Sequence, residues 1–358
     1  MVRAMAATTD DRLELAWFAA LCDDDYEQLG VPDPSLESSF EHCAAIVRAA
    51  EAGGFDSILM PSGYALGIDT VAFTAAVARA TSHITPIVAV RMGEVWAPQM
   101  ARQLATLDHL LQGRMVVNVI SSELPGETLA SGPRYQRTLE HMHALRTLLD
   151  GQRLEARGQF VSLAVDPPRV RSVSGRCPPL YFGGLSDDAR EVAAAAADVY
   201  LMWPDTMEAV TALIADMRER ATRHGRSLRF GYRVHVVVRA TEAEAIAAAQ
   251  HLVAALDPDV GEAIRSRSLD SQSAGVRAQA SLRDAADVEG FVEPNLWTGI
   301  GRARSGCGAA IVGDPAQVAG KIRGYQALGL DTFILSGYPH LDECRRFASL
   351  VMPLLRDA

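Results

Sequence analysis

Short apolar segments alternate along the chain with longer stretches whose apolar residues recur at helical spacing. The apolar segments predict strands at 13–19, 55–60, 84–90, 114–120, 179–182, 199–202, 229–238 and 331–335. Helices are predicted at about 37–52, 68–80, 98–111, 135–150, 186–197, 206–224, 241–255, 314–328 and from 341. Because each predicted strand is followed by a helix, the pattern favours a closed (β/α)8 TIM barrel of the α/β class over an open doubly wound sheet.

Two long connections interrupt this alternation, and we treat residues 1–358 as one domain that contains both. Residues 151–178 are predicted to be an insertion carrying a small hairpin. Residues 257–294 are polar and rich in Arg, Asp and Ser, which is typical either of a mobile lid or of a surface excursion without function. No Gly-x-Gly-x-x-Gly motif follows the first strand, so nothing supports a nicotinamide-dinucleotide fold.

The amino-acid composition limits the classes of protein to which the chain can belong. The chain is 49% hydrophobic and 22% charged, which is enough apolar material for a substantial core. Its formal net charge of -10 argues against nucleic acid or an anionic membrane as partner, but not against a small anion in a locally positive site. The start of the chain lacks an apolar signal segment and no apolar run is long enough to span a bilayer, so we expect a cytoplasmic protein.

Cysteine and lysine usage narrows the chemistry. The five cysteines are an odd number without CxxC spacing, which indicates free thiols and no metal site. Lys321 is the only lysine, and its surroundings resemble a phosphate loop only superficially. Asp314 and Pro315 are instead predicted to cap and begin a helix, on which we expect Lys321 to lie at the surface. This prediction excludes lysine Schiff-base chemistry.

Polar residues inside the predicted strand 229–238 are the clearest candidates for a site. Side chains alternate along a strand, so Arg233 and His235 project from one face and Tyr232 and Val234 from the other. A buried arginine is costly without an anion nearby, and histidine titrates near neutral pH. Two interpretations stay open: a site at the C-terminal mouth of the barrel, or an internal Arg–Asp ion pair beside a hydrogen-bonded core histidine.

Two further segments place polar residues at the same end of the barrel. The last predicted strand is followed by Tyr338 and His340, two hydrogen-bonding aromatic side chains that would either line the barrel mouth or belong to an ordinary strand-to-helix turn. The glycine-bearing loop 300–308 supplies Arg302 and Arg304, which would either clamp an anion or form an exposed basic loop.

A glycine pair precedes the predicted helix at 186–197. Gly183, Gly184 and Ser186 would cradle a phosphate through free N–H groups at the helix N-terminus. Ser186 is equally well explained as a plain N-cap, and the two roles are compatible.

Together these motifs resemble the bacterial luciferase-like flavin monooxygenases, and among them the FMNH2-dependent alkanesulfonate monooxygenases. The similarity covers nearly the whole chain. It rests on PQMARQLATLDHLLQGR at 98–114, PPLYFGG at 178–184, RVH at 233–235, EPNLWTG at 293–299 and LSGYPHL at 335–341.

The resemblance implies a two-component monooxygenase. A separate NAD(P)H-dependent reductase would supply reduced FMN, which this chain would use with O2 to oxidise a small anionic organosulfur substrate. An alkanesulfonate would yield an aldehyde and sulfite. The resemblance also implies a homo-oligomer, a dimer or a tetramer, and it identifies residues 257–294 with a mobile lid that excludes water.

The resemblance assigns residues as well. Those that would line the catalytic centre are Arg233, His235, Arg304, Tyr338 and His340. Those that would bind the cofactor are Ser186 and Tyr135 at the FMN phosphate, Trp203 near the flavin, and Asn118, Gly183 and Gly184. Arginines suit the oxygens of a sulfonate, whereas the choice of catalytic base between His235 and Tyr338 stays open.

The sequence departs from the family's pattern at positions expected near the substrate. Cys22 replaces a histidine after the first strand, Leu66 or Gly67 stands near the place of a cysteine, and Pro32 lies near that of a glutamate. Leu185 occupies a position that is often serine. Three functions therefore stay open: alkanesulfonate oxygenation, the same chemistry on a sulfone, thioether or biosynthetic intermediate, and flavin binding without catalysis.

Overall fold

The computed structural model describes residues 13–266 and 273–356; residues 1–12, residues 357–358 and the stretch 267–272 of the predicted lid lie outside the described residues. The strands are β1 Glu14–Phe18, β2 Ser57–Met60, β3 Thr85–Arg91, β4 Val116–Ile120, β5 Leu154–Arg157, β6 Ser162–Val165, β7 Leu180–Gly183, β8 Val199–Met202, β9 Arg229–Val238, β10 Phe291–Glu293, β11 Leu296–Trp297, β12 Ala310–Gly313 and β13 Thr332–Ser336. The α-helices are α1 Phe40–Ala52, α2 Thr70–Val77, α3 Ala97–Leu110, α4 Ser131–Leu149, α5 Asp187–Ala196, α6 Met207–Arg223, α7 Glu242–Ala254, α8 Pro258–Ser266, α9 Ala274–Asp284, α10 Pro315–Ala327, α11 His340–Leu350 and α12 Met352–Arg356. Short 3-10 helices cover Pro34–Leu36, Ala78–Ala80 and Gly299–Arg302.

Eight parallel strands close a barrel in the order β1, β2, β3, β4, β7, β8, β9 and β13, with β13 pairing back to β1. The predicted (β/α)8 TIM barrel is therefore confirmed. β9 is the longest strand and pairs with β8 through its first residues and with β12 through its last ones. Because β13 occupies the opposite edge of β9, β12 extends the wall above β8 at the mouth.

Local sequence signals explain where the helices begin. Serine, threonine or aspartate side chains accept a hydrogen bond from the first turn of α1, α2, α5, α6, α7 and α10. At α10 the cap is Asp314 and Pro315 is the first helical residue, as predicted. α4 begins at Ser131, four residues before the predicted start at 135. Its first turn includes Pro133 and lacks a side-chain cap, so the usual starting signal is missing.

The two long connections contain regular structure. Within 151–178, β5 and β6 pair antiparallel as a hairpin. The described part of 257–294 contains α8, α9 and β10, and both helices pack against the 3-10 helix Gly299–Arg302. β10, β11 and β12 form a small antiparallel extension of the barrel sheet. The sequence missed β11 and β12, whose short lengths give little periodicity.

Lys321 contradicts the expectation of a surface lysine. Its side chain is 8% exposed and its ammonium lies 2.7 Å from Glu293 Oε1. The same carboxylate oxygen accepts a hydrogen bond from Tyr325 Oη at 2.9 Å. The prediction failed because the partner, on β10, approaches α10 only in the folded chain.

The five cysteines are all free thiols. Across residues 13–266 and 273–356, no helix combines the length and the apolar content that crossing a membrane requires.

Candidate active site

The interior of the barrel changes character from its middle to its C-terminal mouth. Alternation along the strands places one apolar cluster inside, made of Ala16, Phe18, Leu59, Ile87, Val116, Tyr181, Val199 and Ile334. The same alternation turns polar side chains inward near the C-terminal ends of the strands: Arg91, Asn118, Arg233, His235 and Ser336. The mouth is therefore the polar end of an otherwise apolar barrel, as expected for an active site in this fold.

Arg233 is a buried cation without a carboxylate partner. The residue is 6% exposed, and among the described residues no carboxylate forms an ion pair with it. Its guanidinium donates to Ser336 Oγ at 2.8 Å and lies 4.4 Å from the centre of the Phe18 ring. Burial lowers the pKa of Arg233. The alternative of an internal Arg–Asp pair is therefore wrong, and the charge is available to an anion.

His235 lies beside Arg233 on the same face of β9. Its Nδ1 is 2.7 Å from Ser336 Oγ, and its ring stacks on Tyr338 with centroids 5.1 Å apart. The Ser336 hydroxyl accepts from Arg233, which leaves its hydrogen to donate to Nδ1. Burial and the Arg233 charge lower the pKa of His235 well below its usual range, so the ring is neutral. His235 therefore presents Nε2–H, and this buried nitrogen has no hydrogen-bond partner among the described residues.

Arg304 reaches the same place from the loop that precedes β12. Its Nη1 donates to Asp24 Oδ2 at 2.8 Å and to Tyr338 Oη at 2.5 Å. Burial would lower the pKa of Arg304, but Tyr338 and Asp24 raise it above its usual range. Arg302, by contrast, is exposed, so the two arginines of this loop do not form the predicted clamp.

His340 completes the group. Its ring packs edge-on against Tyr338, with centroids 5.0 Å apart, and its Nδ1 lies 2.9 Å from Asp25 Oδ1. The structure thus brings together all five predicted catalytic candidates, Arg233, His235, Arg304, Tyr338 and His340, around the Phe18 ring and the Tyr338 phenol.

A second polar feature lies where β7 ends and α5 begins. A Cβ on Gly183 would lie 2.1 Å from the Leu201 carbonyl oxygen, so this position requires glycine. Ser186 caps α5 by accepting from Ala189 N at 3.2 Å. The Tyr135 hydroxyl would lie 3.5 Å from a Cβ on Gly184, which places it over the glycine turn.

An arginine adds positive charge near this turn. The Arg134 guanidinium lies 5.2 Å from the centre of the Tyr135 ring, and its Nε has no hydrogen-bond partner among the described residues. Asp187 follows the cap, but Arg220 pairs with it at 2.7 Å. Free N–H groups, two hydroxyls and an arginine are donors that suit a phosphate.

Comparison with known proteins gives the family. The model of the luciferase-like monooxygenase family matches residues 17–332. The chain belongs to this family. It is 61% identical to a sulfoquinovose monooxygenase of Novosphingobium aromaticivorans over 96% of this chain and 97% of that protein. It is 50% identical to a sulfoquinovose monooxygenase of Agrobacterium fabrum over 97% of this chain and 90% of that protein.

Solved structures agree on the fold of this monooxygenase. A crystal structure of riboflavin lyase with modified FMN and riboflavin superposes with a TM-score of 0.78 at 17% identity, covering 97% of this chain and 92% of that one. At this identity the likeness extends to the barrel alone.

Trp203 and Asn118 occupy different positions in the monooxygenase. The Trp203 ring lies between α9 and the loop that carries Arg304. A Cβ atom added to Gly275 of α9 would lie 2.7 Å from the ring, and one added to Gly306 of the loop would lie 3.1 Å from it. Asn118 is half-buried in β4, between Ala89 and Tyr181 of the neighbouring strands. Trp203 therefore connects the predicted lid to the mouth, while Asn118 faces the barrel interior from β4.

The positions that depart from the family's pattern do not all meet. A Cβ on Gly63 would lie 3.2 Å from both Cys22 Sγ and the Leu66 carbonyl, so the loops after β1 and β2 are in contact. Leu66 and Pro32 are exposed. Cys22 precedes Asp23 and Asp24, and Gly67 donates its backbone N–H to Asp23, so these two positions border the acidic segment beside Arg304.

Sequence reasoning missed the acidic run that follows β1. Asp23 accepts from Ser38 N and Gly67 N, Asp24 holds Arg304, and Asp25 holds His340. Three consecutive aspartates are usually solvated, but their position in the loop that follows the first barrel strand was the available signal. Ser336, which bridges Arg233 and His235, was missed because one serine in an apolar strand is a weak signal.

Proposed function

We propose that this monooxygenase uses reduced FMN and O2 to oxidise sulfoquinovose, a six-carbon sugar that carries a sulfonate, to an aldehyde and sulfite. The observation that carries the proposal is Arg233, a buried guanidinium without a carboxylate partner at the barrel mouth. Such a charge needs an anion, and the planar guanidinium matches two oxygens of a sulfonate. The names of the two relatives, at 61% and 50% identity, support this choice of substrate.

The cofactor part of the proposal rests on the turn between β7 and α5. Gly183 lets β7 pass close to the Leu201 carbonyl, and Ser186, Tyr135 and Arg134, which lie at or beside this turn, would supply donors to the FMN phosphate. Bound reduced FMN supplies two electrons, so that one atom of O2 enters the substrate and the other leaves as water. Trp203 and the predicted lid would limit access of bulk water to the reaction.

Unsatisfied polar atoms favour a sugar over an alkyl chain. Asp24 Oδ1, His235 Nε2 and His340 Nε2 are buried and have no hydrogen-bond partner among the described residues. An alkyl substituent would leave these atoms unpaired at a cost of about 1–3 kcal/mol each. Sugar hydroxyls both donate and accept, so they would satisfy a carboxylate oxygen and either type of ring nitrogen.

Sulfite release across a substrate panel tests the proposal. The purified protein would be supplied with a flavin reductase, NAD(P)H, FMN and air, with sulfoquinovose or octanesulfonate as substrate. We expect stoichiometric sulfite from sulfoquinovose and at least about 100-fold lower kcat/KM with octanesulfonate, because two or more buried polar atoms would lose their partners.

Each other outcome points to one alternative. Faster release from octanesulfonate would restore alkanesulfonate as the substrate. Reduced FMN binding without sulfite from either compound would move the search to a sulfone, a thioether or a biosynthetic intermediate. Flavin binding with no turnover of any of these would indicate a non-catalytic flavoprotein. The need for a separate reductase stays a prediction, which an assay without the reductase would check. The dimer or tetramer also stays a prediction, which light scattering would check.

A further inference from the structure

We propose that Asp25, supported by His42, holds His340 as the tautomer with its hydrogen on Nδ1, so that Nε2 faces the site as a proton acceptor. Asp25 and His42 are thereby positioning residues, which act through His340. The use of that acceptor on a substrate hydroxyl rests on the proposed function, whereas the tautomer can be measured without any substrate.

The carboxylate of Asp25 is surrounded by N–H donors. Its side chain is 0% exposed, and Oδ1 accepts from both the backbone N and Nδ1 of His340, each at 2.9 Å. Oδ2 lies 2.8 Å from His42 Nε2. Burial alone would raise the pKa of Asp25, but His340 and His42 lower it well below its usual range. An ionised carboxylate only accepts, so the facing ring nitrogen of His340 must carry the hydrogen.

The backbone of His340 is fixed on both sides. His340 begins α11, and the preceding Pro339 provides no side-chain cap. Asp25, in the loop after β1 and 315 residues away in sequence, accepts the hydrogen bond of the His340 backbone N–H instead. Trp17 Nε1 donates to the His340 carbonyl oxygen at 3.1 Å. The imidazole therefore cannot turn its other nitrogen towards Asp25 without losing the Nδ1 hydrogen bond.

His340 shares the Phe18 ring with the two arginines of the site. Arg233 and Arg304 lie 4.4 and 5.7 Å from the centre of the Phe18 ring, and the His340 ring lies 5.6 Å from it. The His340 ring and the two guanidinium groups are therefore neighbours around Phe18. A neutral imidazole with hydrogen on Nδ1 carries its lone pair on Nε2.

This assignment gives the two active-site histidines complementary roles. His235 presents Nε2–H as a donor, because its Nδ1 accepts from Ser336. His340 presents Nε2 as an acceptor, and within residues 13–266 and 273–356 neither of the two buried Nε2 atoms has a hydrogen-bond partner. The two rings pack on the same Tyr338 phenol, so one substrate molecule would meet a donor and an acceptor there.

Nitrogen-15 NMR of histidine-labelled protein tests the tautomer directly, with a His340→Gln variant to assign the signals. We expect a protonated Nδ1 and an unprotonated Nε2 on His340 at neutral pH, without flavin or substrate. A hydrogen on Nε2, in either the neutral or the doubly protonated ring, would overturn the proposal. Absence of sulfite release from a protein that shows the expected tautomer would instead count against the proposed function alone.

Two substitutions separate positioning from general support of the fold. In Asp25→Asn the amide oxygen must still face the His340 N–H, so the tautomer should persist and kcat should fall less than about tenfold.

In Asp25→Ala we expect mixed tautomers and a fall in kcat of about 100-fold or more, the usual contribution of a positioned proton acceptor. Asp33→Asn, at the half-buried aspartate that caps the 3-10 helix Pro34–Leu36, is the matched control and should change neither. An Asp25→Ala protein with the wild-type tautomer and kcat would contradict the proposal; if it does not fold, the wild-type and Asp25→Asn spectra still decide.

Discussion

Arg233 and Lys321 are both buried cations, but their surroundings differ in one respect. Lys321 is paired with Glu293 at 2.7 Å, beneath the small sheet that carries β10. Arg233, at the barrel mouth, has a serine, two carbonyl groups and an aromatic ring, and no carboxylate pairs with it among the described residues.

The presence or absence of a carboxylate partner distinguishes a buried cation that stabilises the fold from one that serves the function. A buried ion pair offsets its own desolvation, so removing one partner is costly for the fold. A buried cation without a counterion lowers the stability of the empty protein and is balanced only when an anion arrives. We therefore propose that Lys321 supports the fold and that Arg233 binds the substrate.

The largest expected effect is that of Arg233→Met on activity. Loss of the charge should lower kcat/KM for sulfite release from sulfoquinovose by about 10³-fold. The free energy of unfolding should stay the same or rise, because the change leaves no carboxylate unpaired. Steady-state kinetics and urea unfolding measure the two quantities. Arg302→Met, which removes an exposed arginine of the same region, should change neither.

Lys321→Met should have the opposite profile. It leaves the carboxylate of Glu293, which is 18% exposed, without its cation, so the free energy of unfolding should fall by about 2–3 kcal/mol. kcat/KM of the folded enzyme should change less than about threefold. The double variant Lys321→Met/Glu293→Gln should recover part of the loss. A stable Lys321→Met protein without activity would refute this division of roles.

The comparison also shows how far the sequence reaches. The barrel was predictable because each strand is an apolar segment next to a helix with its own cap. The inward placement of Arg233 and His235 followed from alternation within one strand. Neither the partner of Lys321 nor the contact of Asp25 with His340 has a local signal, because these contacts join residues 28 and 315 positions apart. The missing carboxylate beside Arg233, on which the functional assignment depends, becomes visible only in the folded chain.

A smaller effect is expected from acid. Burial lowers the pKa of His235 well below its usual value, and burial also lowers the pKa of His141 and His143. Below about pH 6.5 the unfolded chain binds protons that the folded one does not, so stability falls with falling pH. Each such histidine contributes a slope of at most about 1.4 kcal/mol per pH unit.

His235→Gln should make the free energy of unfolding fall less steeply with falling pH, because the contribution of His235 to that slope is removed. Urea unfolding at a series of pH values between neutral and mildly acidic measures it. An unchanged slope would mean that His235 is already protonated in the folded protein, contrary to its position beside Arg233.

The smallest effect concerns the turn at α5. Ser186→Ala removes the cap and should lower the free energy of unfolding by about 1 kcal/mol. It should also weaken reduced FMN binding by roughly fivefold, the value of one hydrogen bond. Ser186→Asp is the informative partner, since it keeps the cap but repels a phosphate. If Ser186→Asp binds reduced FMN as tightly as the wild type, the phosphate does not lie at this turn.

Anaerobic calorimetric titration of sulfoquinovose into the protein with reduced FMN tests the central claim most directly. The wild type should bind the sulfonated sugar at least about 100-fold more tightly than Arg233→Met does, whereas glucose should bind both weakly and equally. Equal affinity of both proteins for sulfoquinovose would contradict the claim that the unpaired cation at the barrel mouth receives the sulfonate.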